Sequence, residues 1–170
     1  MTALIRPAQA DDIPALVQLR LANAHRHIEL GPSAHRQPDI SAVYQYFHDA
    51  LSSPDTSTPL ILVAEVPGEV AGMAEVVIVP DPPGHQILIP RRTAQIHTVV
   101  LDGYRRKGIG TALVSAAEQQ AAEHGVSLLI APIFAPNTSA IRFYSGAGFG
   151  EHGVLLSKEP AARPTGAPNQ

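Results

Sequence analysis

Apolar and polar positions along this chain fall into short blocks with distinct periods. TALIRPA, Thr2 to Ala8, is a brief apolar run that predicts a first strand. Asp11 or Asp12 then offers an N-cap and Pro14 falls in the first turn. Ile13, Leu16, Val17, Leu21, Ala24 and Ile28 recur at helical spacing, so a first helix follows. LGPSAHRQP, Leu30 to Pro38, breaks it. Ile40, Tyr44, Phe47 and Leu51 predict a second helix, and Ser52 to Pro59 a loop. LILVAEV and VAGMAEVVIVP flank Pro67-Gly68-Glu69 as the two arms of a hairpin.

Beyond an irregular stretch, Asp81 to Arg92, the segment TAQIHTVVL, Thr93 to Leu101, reads as another strand. A helix beginning near Lys107 carries Ile109, Leu113, Ala116, Ala117 and Gln120 and stops at Gly125. VSLLIAPIF, Val126 to Phe134, predicts a strand. PNTSAIRFYSGAGF predicts a short helix capped by Asn137 or Thr138, and HGVLLSK, His152 to Lys158, a last strand. The order β, α, α, β, β, β, α, β, α, β predicts an α+β (α/β layered) fold on one mixed sheet. A single domain is expected over residues 1–158. The Pro/Ala/Gly-rich stretch 159–170, without periodicity, is expected to be a flexible tail.

Composition narrows the function classes. A chain of 170 residues can bury roughly 70% of the surface it exposes when unfolded, enough for a core with an enclosed cleft. No apolar run approaches the ~20 residues that cross a bilayer, and MTALIRPAQADD lacks the features of a secretory signal. A soluble, cytoplasmic protein without a membrane partner is expected. The chain has no cysteine, so neither a disulfide nor an acyl-thioester on the protein can form. His25 and His27 are two residues apart and point to different sides of a helix, so no metal site is expected. A net charge of −3 argues against nucleic acid as partner, and the cations are local, at Arg91-Arg92 and Arg105 to Lys107.

Those last cations open the stretch YRRKGIGTALV, Tyr104 to Val114. The first amides of a helix lack intrahelical partners, and the dipole makes that end partly positive. Gly108 and Gly110 let the backbone curl and let an anion approach, so a strand, a glycine turn and a helix together suit a phosphate. The spacing fits neither the P-loop nor the dinucleotide fingerprint, since Leu113 stands where the latter needs a third glycine. On these residues alone, a solvated turn between strand and helix is the competing reading.

Arg105-Arg106-Lys107-Gly108-Ile109-Gly110 resembles the R-x-x-G-x-G pyrophosphate loop of the GNAT superfamily of acyl-CoA-dependent N-acetyltransferases. Asn137, Ala140, Phe143-Tyr144 and Gly148-Phe149 resemble that family's N-x-x-A-x-x-F-Y-x-x-x-G-F segment, spacing included, and the element order follows its fold from Leu4 to about Ser157. Two departures stand out: Asp102-Gly103 where proline is common, and Arg106 in place of a frequent glycine.

The resemblance implies a central, mostly antiparallel mixed sheet whose fourth and fifth strands splay apart, with helices on both faces. It implies acetyl-CoA as co-substrate and no metal. Main-chain groups of Val99, Val100 and Leu101 would pair with the pantetheine arm, with the amide near Val100 polarising the thioester carbonyl. Arg105, Arg106, Lys107, Gly108, Ile109, Gly110 and Thr111 would hold the pyrophosphate, with Asn137 a further contact. Transfer to a primary amine would be direct, and Tyr144 would protonate the leaving thiolate. From the helix alone, Tyr144 reads as a core aromatic beside Phe143.

Three candidates compete for the base. Period two places Gln95, His97, Val99 and Leu101 on one face of their strand, and His97 has a suitable ordinary pKa near ~6.5. Glu75 on the preceding strand is the second candidate and a water the third. The acceptor pocket is expected from Ile28 to Tyr46, from Asp81 to Arg92 and from the last strand. Glu29, Asp39 and Asp49 hint at a cationic small molecule, with a peptide amine as the other option, and a monomer or homodimer is expected. Two rival readings are a non-catalytic acyl-CoA sensor and a nucleotide-phosphate-binding protein.

Overall fold

Strands that follow one another in the chain lie side by side in one five-stranded sheet. In this computed structural model, which describes residues 3–53 and 58–160, the strands are β1 (Leu4–Pro7), β2 (Leu60–Val66), β3 (Glu69–Val79), β4 (Thr93–Val100) and β5 (Leu128–Ile130). The first three pairings are antiparallel and β4–β5 is parallel. The start of the expected first strand, part of the expected loop after the second helix (54–57) and most of the expected tail (161–170) lie outside the described residues.

β2 and β3 form the expected hairpin, with Val66 opposite Glu69 and Gly68 at φ +82, a left-handed turn position that glycine occupies without steric cost. Helices α1 (Ile13–Leu30) and α2 (Ile40–Ser52) cover one face of the sheet; α3 (Ile109–Glu123) and α4 (Thr138–Gly146) lie on the other. Leu16, Leu19, Phe47, Val63 and Met73 fill the first layer, and Val76, Ile96, Leu113 and Ala117 the second. Side chains of this size contribute about 1.5–3 kcal/mol each when fully buried. The period-two reading of β4 holds: Val99 joins the α1/α2 layer, while Ala94 and Ile96 join the α3 layer.

Asp12 does more than start a helix. Its carboxylate accepts the Gln9 amide (2.8 Å) and binds the Arg6 guanidinium (2.7 Å), which also reaches Glu65 (2.6 Å), so β1, β2 and the entry to α1 are tied at one point. The Arg6 partner holds the Asp12 carboxyl below the usual carboxylate range.

Two strand expectations are corrected. HGVLLSK forms no strand: residues 150–160 are irregular, and Val154, Leu155 and Leu156 are exposed. A strand exists through its partner's ladder, and β5 offers only three paired residues. The reading over Val126 to Phe134 shrinks to Leu128–Ile130, because β4 pairs with it only from Thr93 to Gln95. The third helix starts at Ile109, two residues later than expected, with Gly108 as its cap.

Candidate active site

The opening between β4 and β5 is built into the ladder. Pairing stops at Gln95 and Ile130, and Pro132 follows two residues later. The amide of Leu101 donates to Ala71 O on the β3 side (2.9 Å), so alternation turns the main-chain groups of Thr98 and Val100 the other way, into the opening. Arg105 Nε donates to Val100 O there (3.1 Å). A cavity of about 430 Å³ fills this space, lined by Thr98, Val99 and Val100 on one side and by the start of α3 and α4 on the other.

The glycine loop sits at the end of that cavity. Arg106 adopts φ +58 and Gly108 φ +81, two left-handed residues that turn the chain from β4 into α3. The first helical bond runs from Ala112 N to Gly108 O (3.0 Å), which leaves the amides of Ile109, Gly110 and Thr111 without intrahelical acceptors. A Cβ on Gly110 would meet the Phe143 ring at 3.1 Å, so the helix start and α4 approach closely there. Arg105 Nη1 pairs with Asp102 (3.0 Å), whereas Lys107 Nζ donates to Gly103 O (2.8 Å) above the Tyr104 ring and stays within its own loop. Ile109 is a core side chain and offers the opening only its backbone.

Tyr144 and Asn137 close the far wall. Asn137 caps α4 through Ala140 N (3.2 Å) and receives the Ser139 hydroxyl (3.0 Å). Tyr144 is buried between the Phe143 and Phe149 rings, and its hydroxyl donates to Thr98 Oγ1 (3.1 Å). Burial pushes its pKa up and outweighs the opposing influence of Thr98, so the phenol keeps its proton at neutral pH. The core-aromatic reading and the hydroxyl in the opening are thus both properties of one side chain.

On the other face of β4, Glu75 and His97 stand opposite each other in the β3–β4 register. Both line a second cavity of about 410 Å³ under α1 and α2. Glu75 is fully buried; one oxygen pairs with Arg20 Nη2 (2.7 Å) and the other accepts the Tyr46 hydroxyl. His97 has no hydrogen-bond partner among the described residues. Burial lowers its pKa below the usual 6.5 against the pull of Glu75, so the imidazole is neutral at pH 7. Glu75 therefore does not reach the β4–β5 opening, while His97 lies two residues from Val99, which borders it.

Several residues at these sites were not anticipated. Arg20 walls the second cavity, beside Tyr46 from the expected Ile28 to Tyr46 region; Asn23, Arg26 and Ser139 border the first, where Arg26 Nη2 donates to Ser139 Oγ across it (2.9 Å). A signal for Arg20 exists: it lies four residues after Leu16 on an otherwise apolar stripe of α1. The expected contribution of Asp81 to Arg92 is not seen, since none of its residues lines either cavity and Ile87, Leu88 and Ile89 are exposed.

The sequence matches the acetyltransferase (GNAT) family over residues 22–149, and the chain belongs to that family. It is an acyltransferase. No curated protein sequence matches it. Among solved structures, a mutant of the BH1408 protein from Bacillus halodurans superposes with a TM-score of 0.81 at 18% identity, covering 92% of this chain and 99% of that one. An aminoglycoside N-acetyltransferase solved in complex with CoA gives 0.69 at 17%, covering 94% and 95%. An aminoglycoside antibiotic 6'-N-acetyltransferase from Acinetobacter haemolyticus gives 0.69 at 18%, covering 94% and 99%. These likenesses are of fold: a mixed α+β sheet of the acetyltransferase kind.

Proposed function

We propose that this family member transfers the acetyl group of acetyl-CoA directly to a primary amine, within one catalytic domain spanning residues 1–158. The observation that carries the reading is the unpaired edge of β4, whose Thr98 and Val100 main-chain groups face an opening that ends on the free amides of Ile109, Gly110 and Thr111. Those amides and the Arg105 and Arg106 cations suit a pyrophosphate. The β4 edge suits an amide-bearing arm, which adds to it as a short strand would. Asn137 offers that arm a polar wall. Lys107, turned onto Gly103 O, contributes charge rather than a direct bond.

In the proposed reaction the amine lone pair attacks the thioester carbonyl, the C–S bond breaks, and an amide and a thiol result. The amide N–H of Val100, or of Thr98 on the same edge, stabilises the oxyanion. His97, neutral at pH 7 because it is buried, takes the ammonium proton from the α1/α2 side, directly or through a water. Tyr144, protonated at pH 7, gives its proton to the leaving sulfur from the α3/α4 side. Glu75 has both oxygens engaged by Arg20 and Tyr46 and serves as a positioning residue for that wall. The absence of cysteine agrees with direct transfer.

A thermal-shift titration tests the donor. Acetyl-CoA and free CoA are expected to raise the melting temperature in proportion to the logarithm of their concentration, and ATP with magnesium to leave it unchanged. A response to ATP alone overturns the assignment.

A further inference from the structure

The cavity beneath α1 and α2 has a wall that acetyl transfer as such does not require. Arg20 lies with its guanidinium over the rings of Tyr46 (5.7 Å) and Phe47 (5.3 Å) and spends only Nη2 on Glu75. Its Nε and Nη1 have no partner among the described residues. They are not sealed from solvent either, since no side-chain polar atom buried among those residues lacks a hydrogen bond. The guanidinium is therefore fixed in orientation, with N–H donors left over, on the wall of a cavity. Three surfaces hold it before any ligand arrives: two aromatic rings and a buried carboxylate.

The charge arrangement says what can enter. Glu75 already receives Arg20 on one oxygen and the Tyr46 hydroxyl on the other, and the Arg20 cation offsets its charge. His97 is the other polar group there, and it is neutral at pH 7. The remaining lining, Ala42, Val43 and Val77 with the Tyr46 ring, is apolar. Glu75 is the one carboxylate in this lining, and it is paired with a cation. The exposed carboxylates nearby have local duties: Asp39 caps α2 through Ala42 N, Asp49 receives Gln45, and Glu29 faces His25.

We propose that this cavity is the acceptor site and that its acceptor is an amine carrying a carboxylate on an apolar skeleton, the carboxylate held by the Arg20 N–H groups that Glu75 leaves unused and the amine presented at His97. A guanidinium N–H and a carboxylate oxygen make a charge-assisted hydrogen bond, shorter and stronger than a neutral one. From His97 to Val99 is two residues along β4, about 7 Å, which brings the amine from this cavity to the β4–β5 opening. The products would be the N-acetylated amino carboxylate and free CoA, with the ammonium proton leaving through His97. The proposal rests on the acetyltransferase reading.

Matched acceptors test it. The full chain is assayed for thiol release from acetyl-CoA with L-leucine, L-phenylalanine and γ-aminobutyrate, each beside its amide and its decarboxylated amine. The carboxylate-bearing member of at least one set is expected to show a kcat/KM at least about tenfold higher than both partners, carried by KM. Arg20→Lys keeps a cation for Glu75 but has a single nitrogen to serve two carboxylates, and it is expected to erase most of that preference while the melting temperature stays near that of the wild type. Equal or better turnover of the amides and decarboxylated amines overturns the acceptor class while acetyl transfer stands. Thiol release with none of the amines, from protein that acetyl-CoA still stabilises, overturns both. Should Arg20→Lys fail to fold, the wild-type preference alone decides.

Discussion

His97 and Tyr144 address the same stretch of β4 from opposite faces of the sheet. The imidazole belongs to the α1/α2 side, beside Glu75 and Arg20, while the phenol rises from the α3/α4 layer to Thr98 Oγ1 at 3.1 Å. Along that stretch β4 is paired with β3 on one edge and has no partner strand on its β5 edge. A group bound against that edge would have a proton acceptor on one side and a proton donor on the other, which is the arrangement that amine attack and thiolate departure require.

Tyr144→Phe removes the donor and keeps the ring between Phe143 and Phe149. A fall in kcat of about a hundredfold is expected, with acetyl-CoA affinity within about twofold of wild type, read by thiol release and by calorimetry. Unchanged kcat would remove the phenol from the reaction.

His97 gives a signed pH dependence. Its folded pKa lies below the unfolded value of 6.5, so between the two the unfolded chain binds more protons and stability falls as pH drops below 6.5. Above 6.5 both states are neutral and this group adds no slope. His97→Gln is expected to flatten the melting temperature against pH in that window. It is also expected to lower kcat/KM by about a hundredfold and abolish the acid limb below 6.5. Glu75→Gln, which leaves His97 in place, is expected to keep that limb; its disappearance would mark Glu75 as the base.

Gly72 controls the β4 edge from behind. A Cβ there would lie 2.8 Å from Val99 O, closer than the backbone tolerates, and 3.2 Å from Val100 Cγ2. Gly72→Ala is expected to cost about 1–3 kcal/mol in denaturant unfolding and to weaken acetyl-CoA binding by shifting Val99 and Val100.

Arg106 occupies a left-handed conformation that costs a non-glycine residue about 1 kcal/mol. Arg106→Gly is expected to recover part of that cost in melting temperature and to weaken CoA binding more at low salt than at high salt, since a cation is lost. Tighter binding in the variant would place Arg106 outside the phosphate site.

Local chemistry was the legible part of this chain. The alternation in TAQIHTVVL sorted His97 and Val99 from Ile96 and Thr98, and the glycines after three cations marked the start of α3, because both depend on neighbours in sequence. HGVLLSK has strand composition, yet no ladder receives it, and nothing within those residues could report that. The wall around Glu75 was equally hidden. Arg20 and Tyr46 lie 55 and 29 residues away from it, and only the packing of α1 and α2 on β3 brings the three together. A single polar residue on an apolar stripe, such as Arg20, signals that a partner exists without naming it.

The most direct measurement follows free thiol and the mass of the intact protein after mixing with acetyl-CoA, first alone and then with an acceptor amine. The account predicts no stoichiometric thiol release and no mass change without amine, and steady release with N-acetyl amine as product once amine is present. An acetyl group on the protein, or no amine-dependent release from protein that binds acetyl-CoA, would contradict it.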